Sequence, residues 1–211
     1  MKYSVLIVED DPMARQLFEL FVEQSEQYEV VESIENADMA DIYCVGNKID
    51  LIVMDICTAN HASGLKAAKR IKEKYPNIKI LMVTSMPDET YLSEAKEIGV
   101  EGFWYKDIRK EPFYHMLDAI MKGDKVLPFS APKLQLGLAS SDEFTSREME
   151  VLRELTYGNP DAIIADNLNM SIPTVKIHIQ HLREKTGYRN RTELAVRAKE
   201  SGIVGRSEER R

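Results

Sequence analysis

Residues 50–60 read DLIVMDICTAN. Four apolar residues, Leu51 to Met54, run without a break into the carboxylate of Asp55. Such a run fits a strand buried on both faces, as in a parallel sheet covered by helices. A carboxylate at its end marks the place where the sheet opens. The pattern repeats outward from this stretch. Tyr3–Val8, Tyr28–Ile34, Ile78–Val83 and Glu101–Tyr105 are similar runs, so five strands are expected with Asp50–Met54 as the third. Helical apolar spacing lies between them. It begins at Pro12 with Leu17, Leu20 and Phe21, and returns with Leu65, Ala68 and Ile71. It recurs with Tyr91, Ala95 and Ile98 before Gly99, then with Phe113, Met116, Leu117 and Ile120 before Gly123. Strands alternating with helices make an α/β unit with a doubly wound parallel sheet. Strands 1, 3 and 4 are nearly all apolar and belong at its centre; strands 2 and 5 are mixed and belong at its edges. The expected order is 2-1-3-4-5.

The chain of 211 residues is long enough for two domains. Residues 1–122 form the first, 123–143 a linker rich in Pro, Gly and Ser, and 144–204 an all-α second domain; 205–211 are a flexible tail. In the second, FTSREMEVLREL opens a helix with Thr145 as N-cap and Glu148 three residues on, a capping box. Gly158 ends it, and Pro160 starts a second helix carrying Ile163, Ile164 and Leu168. Ser171 caps a third, IPTVKIHIQHLREKTG, and Thr192 opens a fourth. Four helices with a helix–turn–helix in the middle suit a DNA-binding module.

Charge divides the chain in the same way. Residues 1–123 carry a net −8, residues 124–211 a net +1, and residues 171–211 alone a net +5. An acidic first part with a basic end fits a regulatory or metal-binding module joined to one that touches a polyanion. No run approaches the ~18 apolar residues of a membrane span. The N-terminal run meets three acids at once, so it is not a secretory signal. Cys44 and Cys57 match no metal or redox spacing, and a reduced, cytoplasmic protein is expected.

The acids concentrate at strand ends. Glu9, Asp10 and Asp11 follow strand 1, and Asp55 follows strand 3. With strands 1 and 3 adjacent, these carboxylates converge and repel, which a divalent cation relieves. Magnesium prefers a few carboxylates together with water and phosphate oxygen. Asp10 and Asp55, with Glu9 and the backbone carbonyl of Cys57, are the candidate Mg2+ ligands; Asp11, before Pro12, reads as a helix cap. Strand 4 ends in Thr84 and strand 5 leads to Lys106. Acids, a hydroxyl and a lysine on different strand ends are what an aspartyl phosphate requires. No further cofactor is expected.

Residues 1–122 resemble the receiver domain of two-component response regulators through VLIVEDDP, LIVMD, ILMVTS and GFWYKD in order. Residues 144–204 resemble the LuxR-type helix–turn–helix through FTSREMEVL, TVKIHI and RTEL. Together they are similar to the NarL/FixJ family. The resemblance implies that Asp55 accepts a phosphoryl group from a histidine kinase and that Glu9 and Asp10 are the acid pair. Thr84 would be the switch hydroxyl, and Phe103 the switch aromatic that follows it inward. The departures lie after Asp55. Thr58 and Ala59 stand where the family has Met-Pro, and Gly64 is nine residues on rather than eight, so that loop is one residue longer. Asp107 follows the lysine where many receivers have proline, and no cis peptide is assumed there.

A recognition helix presents its N-terminal residues to the major groove. Thr174, Lys176, Ile177, His178 and Gln180 begin the third helix, and the resemblance makes Lys176, Ile177 and Gln180 the base-facing set. Arg183, Lys185, Arg189 and Arg191 are candidate phosphate contacts. Val175, Ile179 and Leu182 read as core. Asp161, Ala162 and Asp166 stand where many relatives have basic or amide residues, so weaker backbone contact is expected there. The final helix is expected to expose Leu194, Val196 and Ala198, and by resemblance to form a dimer contact.

These observations imply a phosphorylation-dependent, dimerising regulator of promoter DNA, not an enzyme; the alternative is a DNA binder indifferent to phosphorylation. A phosphohydrolase would need Asp-x-Asp after the first strand, and a nucleotide carrier a glycine-containing phosphate loop there. EDDPMAR supplies neither.

Overall fold

Val5 to Val8, Leu51 to Met54 and Ile80 to Val83 are fully buried, as strands covered on both faces must be. In the computed structural model they lie side by side. The structure describes residues 2–106 and 113–204, apart from the side chain of Tyr114. The Lys106–Asp107 peptide and the tail 205–211 fall outside these. Two compact units result, one mainly of residues up to Phe129 and one mainly of residues from Ser130 onward.

The first unit begins with β1 (Tyr3–Val8), α1 (Pro12–Glu23) and β2 (Tyr28–Ile34). A 3-10 turn leads to α2 (Ala40–Gly46) and then to β3 (Leu51–Asp55). The two-residue strands β4 (Cys57–Thr58) and β5 (Ala62–Ser63) precede α3 (Gly64–Lys74). Then come β6 (Lys79–Thr84), α4 (Glu89–Ile98), β7 (Gly102–Tyr105) and α5 (Phe113–Lys122). The sheet order is β2-β1-β3-β6-β7, all parallel, which is the expected 2-1-3-4-5 arrangement. Strand positions agree with the apolar runs to within a residue. The sequence reading named no helix at the seven-residue α2, which has no side-chain cap at its start.

Against one face of the sheet, Phe18 of α1 stacks on Phe113 of α5 at 5.2 Å between ring centroids. Trp104 meets the edge of Phe18 at 6.0 Å. The Tyr28 hydroxyl donates to Asp118 Oδ1 at 2.7 Å and ties α5 to β2.

The second unit holds β8 (Gln135–Leu136), β9 (Ala139–Ser140), α6 (Ser146–Thr156), α7 (Asp161–Asn167), α8 (Ile172–Thr186) and α9 (Arg191–Ser201). Thr145 caps α6 in the expected capping box, Ser171 caps α8, and Gly187 ends α8 at φ +77°. Two findings depart from expectation. The segment read as a linker is built in at Val126 and at residues 135–140, while Phe129 and Leu138 stay exposed. Val126 bridges to Gly102, and β8 and β9 form a hairpin with Leu136 and Ala139 each 1% exposed. Its turn residue Gly137 lies so close to Thr186 that an added Cβ would stand 2.2 Å from the carbonyl oxygen. The last helix also differs: Leu194 and Ala198 are fully buried in their own domain, and of the three residues expected on its surface only Val196 is exposed. Leu194 and Ala198 are four residues apart and share the inward face.

Candidate functional site

The carboxyl ends of β1, β3, β6 and β7 bring the polar residues of the first unit together. Glu9 is fully buried, Asp55 and Thr84 nearly so, and oxygens of Glu9, Asp10 and Asp55 all lie within 4.8 Å of one another. Lys106 Nζ reaches into the group, 2.6 Å from Glu9 Oε2 and 3.3 Å from Asp55 Oδ2. The Ile56 amide donates to Asp55 Oδ1 at 2.8 Å, leaving Oδ2 on the lysine side. Lys106 is held by its own amide, which donates to the carbonyl of Thr84 at 2.8 Å. Asp11 joins the cluster only through its amide, which donates to Glu9 Oε1 at 3.2 Å. Its side chain accepts from the amides of Met13 and Ala14 and caps α1.

Burial, and then the charge of Asp55, push the Glu9 carboxyl up to about 8 against the pull of Lys106. Burial also works against the Lys106 ammonium, but Asp55 and Glu9 outweigh it and hold that group above its ordinary range. Among the described residues, Lys106 therefore relieves the repulsion between Glu9 and Asp55 only in part. A hard, oxygen-seeking divalent cation fits this donor set.

The loop after Asp55 is a hairpin. Cys57 and Thr58 pair antiparallel with Ser63 and Ala62, and Asn60 and His61 both take positive φ at the turn. Thr58 Oγ1 donates to the Ala62 carbonyl and accepts from the Ala37 amide. The Ala59 amide donates to the Glu35 carbonyl. The turn brings Gly64 against Asp55. Its amide donates to Ile56 O at 2.8 Å, and a Cβ on it would stand 1.9 Å from the Asp55 carbonyl oxygen. The half-buried Cys57 has its Sγ 4.0 Å from the Tyr91 hydroxyl.

Phe103 is already 2% exposed and packs against Tyr105 at 5.0 Å between centroids. The inward swing expected of it has no outward starting position here.

In the second unit, Lys176, Ile177 and Gln180 project from the N-terminal half of α8 and are exposed; Gln180 donates to Glu184. Thr174 shares a 2.7 Å hydrogen bond with the cap residue Ser171, and His178 is half-buried. The basic residues divide. Lys185 turns inward to Glu148 Oε2 and the Glu143 carbonyl, each at 2.7 Å, which joins α8 to the capping box of α6. Arg183 donates to the Arg189 carbonyl. Arg191 pairs with Asp161 and donates to the Asn159 carbonyl. Asp161 thus neutralises one of the candidate phosphate contacts, a stronger effect than the weakened contact expected of it. Lys176, Gln180, Arg183 and Arg191 still share one open cleft of about 720 Å3.

Sequence reasoning missed Arg15, whose guanidinium donates to the Glu9 carbonyl. It stands in EDDPMAR, but nothing in the sequence says which way an arginine on the second turn of a helix points.

The model for the response regulator receiver domain matches residues 5–118, and that for bacterial regulatory proteins of the luxR family matches residues 142–198. The chain belongs to the response regulators that join a receiver domain to a LuxR-type DNA-binding domain. It is 30% identical to the transcriptional regulatory protein YxjL of Bacillus subtilis, covering 96% of this chain and 98% of the relative. It is 28% identical to the oxygen regulatory protein NreC of Staphylococcus haemolyticus, covering 90% and 94%. Among solved structures, RcsB of Salmonella enterica serovar Typhimurium bound to promoter rprA with the phosphomimetic BeF3- superposes with a TM-score of 0.59 at 21% identity. The chains overlap over 95% of this one and 99% of that one. At this identity the likeness is one of fold.

Proposed function

We propose that the protein is a phosphorylation-controlled transcription regulator, with Asp55 as phosphoacceptor and α8 as the DNA reader. The observation that carries this reading is the convergence of Glu9, Asp10, Asp55, Thr84 and Lys106 at four neighbouring strand ends. An Asp55 carboxylate oxygen attacks the phosphorus of a kinase phosphohistidine; a P–O bond forms and the P–N bond breaks. Glu9, Asp10, Asp55 and the Cys57 carbonyl would hold Mg2+, which when bound neutralises phosphoryl oxygen charge. Lys106 supplies the second positive charge and Thr84 a hydroxyl donor. Thr84 then shifts toward the phosphoryl group over a Phe103 that is already inside. The change biases a pre-existing equilibrium toward a homodimer that binds promoter DNA.

On DNA, Lys176 donates to guanine, Gln180 pairs with adenine and Ile177 meets a thymine methyl. Thr174 and His178 flank them. Arg189, whose side chain is exposed, contacts a phosphate directly, and Arg183 and Arg191 do so when their internal partners release them. Lys185, held by Glu148, serves the fold of the domain first.

The test is phosphoryl labelling from acetyl phosphate with Mg2+, in the wild type and in Asp55→Ala. The expected outcome is labelling of the wild type alone; equal labelling of both overturns the assignment.

A further inference from the structure

Arg15 sits on the second turn of α1 with its guanidinium mostly buried and its two ends bound to different loops. Nη1 donates to the backbone carbonyl of Glu9 at 2.8 Å. Nη2 pairs with Glu35 Oε1 at 3.0 Å, where the Arg15 side chain is 19% exposed and that of Glu35 62%. An ion pair with so exposed a partner contributes little by itself. The informative contact is the one to Glu9. That carbonyl belongs to the Glu9–Asp10 peptide, and the peptide is planar. Fixing its oxygen fixes the plane from which two of the three clustered carboxylates depart.

The other end reaches the third carboxylate by a different route. The Glu35 carbonyl accepts from Ala59, Ala37 two residues on donates to Thr58 Oγ1, and both contacts hold the hairpin that follows Asp55. The Glu9 amide itself donates to the Ile34 carbonyl at 2.9 Å. Arg15 therefore stands where the loop after β1, the loop after β2 and the hairpin after β3 are tied to one another.

We propose that Arg15 is a positioning residue for the acid cluster: it orients the Glu9–Asp10 peptide and, through Glu35, braces the Asp55 hairpin, so that the three carboxylates are preset for a divalent cation. This rests on the proposed function of the same site. Partners one step removed from a metal act by orienting its ligands, and their loss lowers affinity by about 10- to 100-fold.

The readout is Mg2+ affinity of the full chain, followed by the fluorescence of Trp104, the only tryptophan, and by thermal shift. Arg15→Ala is expected to raise the apparent Mg2+ dissociation constant by about tenfold. Arg15→Lys can reach one partner but not both, and should fall between wild type and alanine. Glu35→Gln keeps an acceptor for Arg15 on an exposed side chain; it should fold normally and weaken Mg2+ binding by less than Arg15→Ala. Urea unfolding without Mg2+ separates affinity from folding. If Arg15→Ala binds Mg2+ as tightly as wild type while Asp10→Asn does not, Arg15 is a surface ion pair and the inference fails alone. If wild type binds no Mg2+, the reading of the site fails with it.

Discussion

Gly64 is constrained by the side chain it lacks. Its Cα faces the Asp55 carbonyl at a distance where a Cβ would stand 1.9 Å away, and the opposing atom is backbone, which cannot rotate aside. Gly64→Ala should destabilise the receiver unit by about 1–3 kcal/mol, as overpacking does. It should also slow phosphoryl uptake, because the displaced strand end carries Asp55; urea unfolding and acetyl phosphate labelling measure the two effects. His61 presents the opposite case. It holds φ 58° as a residue with a side chain, a conformation costing roughly 1–2 kcal/mol outside glycine. His61→Gly should recover about 1 kcal/mol of that, seen as a rise in thermal midpoint. At this scale the site was legible wherever a polar residue ended an apolar run: Glu9, Asp10, Asp55, Thr84 and Lys106 all announced themselves so. Arg15 was not legible, since its role depends on a carbonyl six residues back and a carboxylate on another loop. Phe103 was legible as a position but not as a conformer.

Elements were legible where length or a starting residue marked them. The five sheet strands and the helices of ten or more residues were placed from apolar period and caps. The two short hairpins and α2 were not: two-residue strands carry no period, and α2, as short as α7, lacks the proline that marks the start of α7. They are held by contacts distant in sequence, such as Thr58 with Ala37. The join between α6 and α8 yields a prediction at this scale. Glu148 is 3% exposed. Burial opposes its charge, yet the hydrogen bonds from Lys185 and Thr145 prevail and hold its carboxyl below the usual value of 4.5. A depressed folded value means that the carboxylate contributes its stability above pH 4.5, and that this is lost as pH falls through the lowered value. Glu148→Gln should therefore cost about 1.5–3 kcal/mol near neutral pH, the size of a charged hydrogen bond. The gap from wild type should begin to close as the pH falls below 4.5; denaturant unfolding at neutral pH and down through the acid range checks both arms.

At the scale of the whole molecule, charge and assembly decide function. An acidic receiver joined to a net +5 over residues 171–211 predicts DNA binding that weakens steeply with salt. Lys176→Ala should lower affinity and alter base preference. Lys185→Ala, whose ammonium is engaged by Glu148, should leave the salt slope unchanged and lower thermal stability instead. Labelling of Asp55 should shift the sedimentation coefficient toward a dimer, with Asp55→Ala staying at the monomer value.

The bridge from Val126 bears on how such a dimer forms. The Val126 amide donates to Glu101 and its carbonyl accepts from Phe103, so the chain lies along the outer margin of β7. Among the described residues, the free margin of the sheet is β2, which carries the exposed carboxylates Glu29 and Glu32. Strand addition is blocked where Val126 bridges β7, and at β2 an incoming strand meets like charge. Two receivers are thereby steered away from fusing strand to strand into an open-ended fibre.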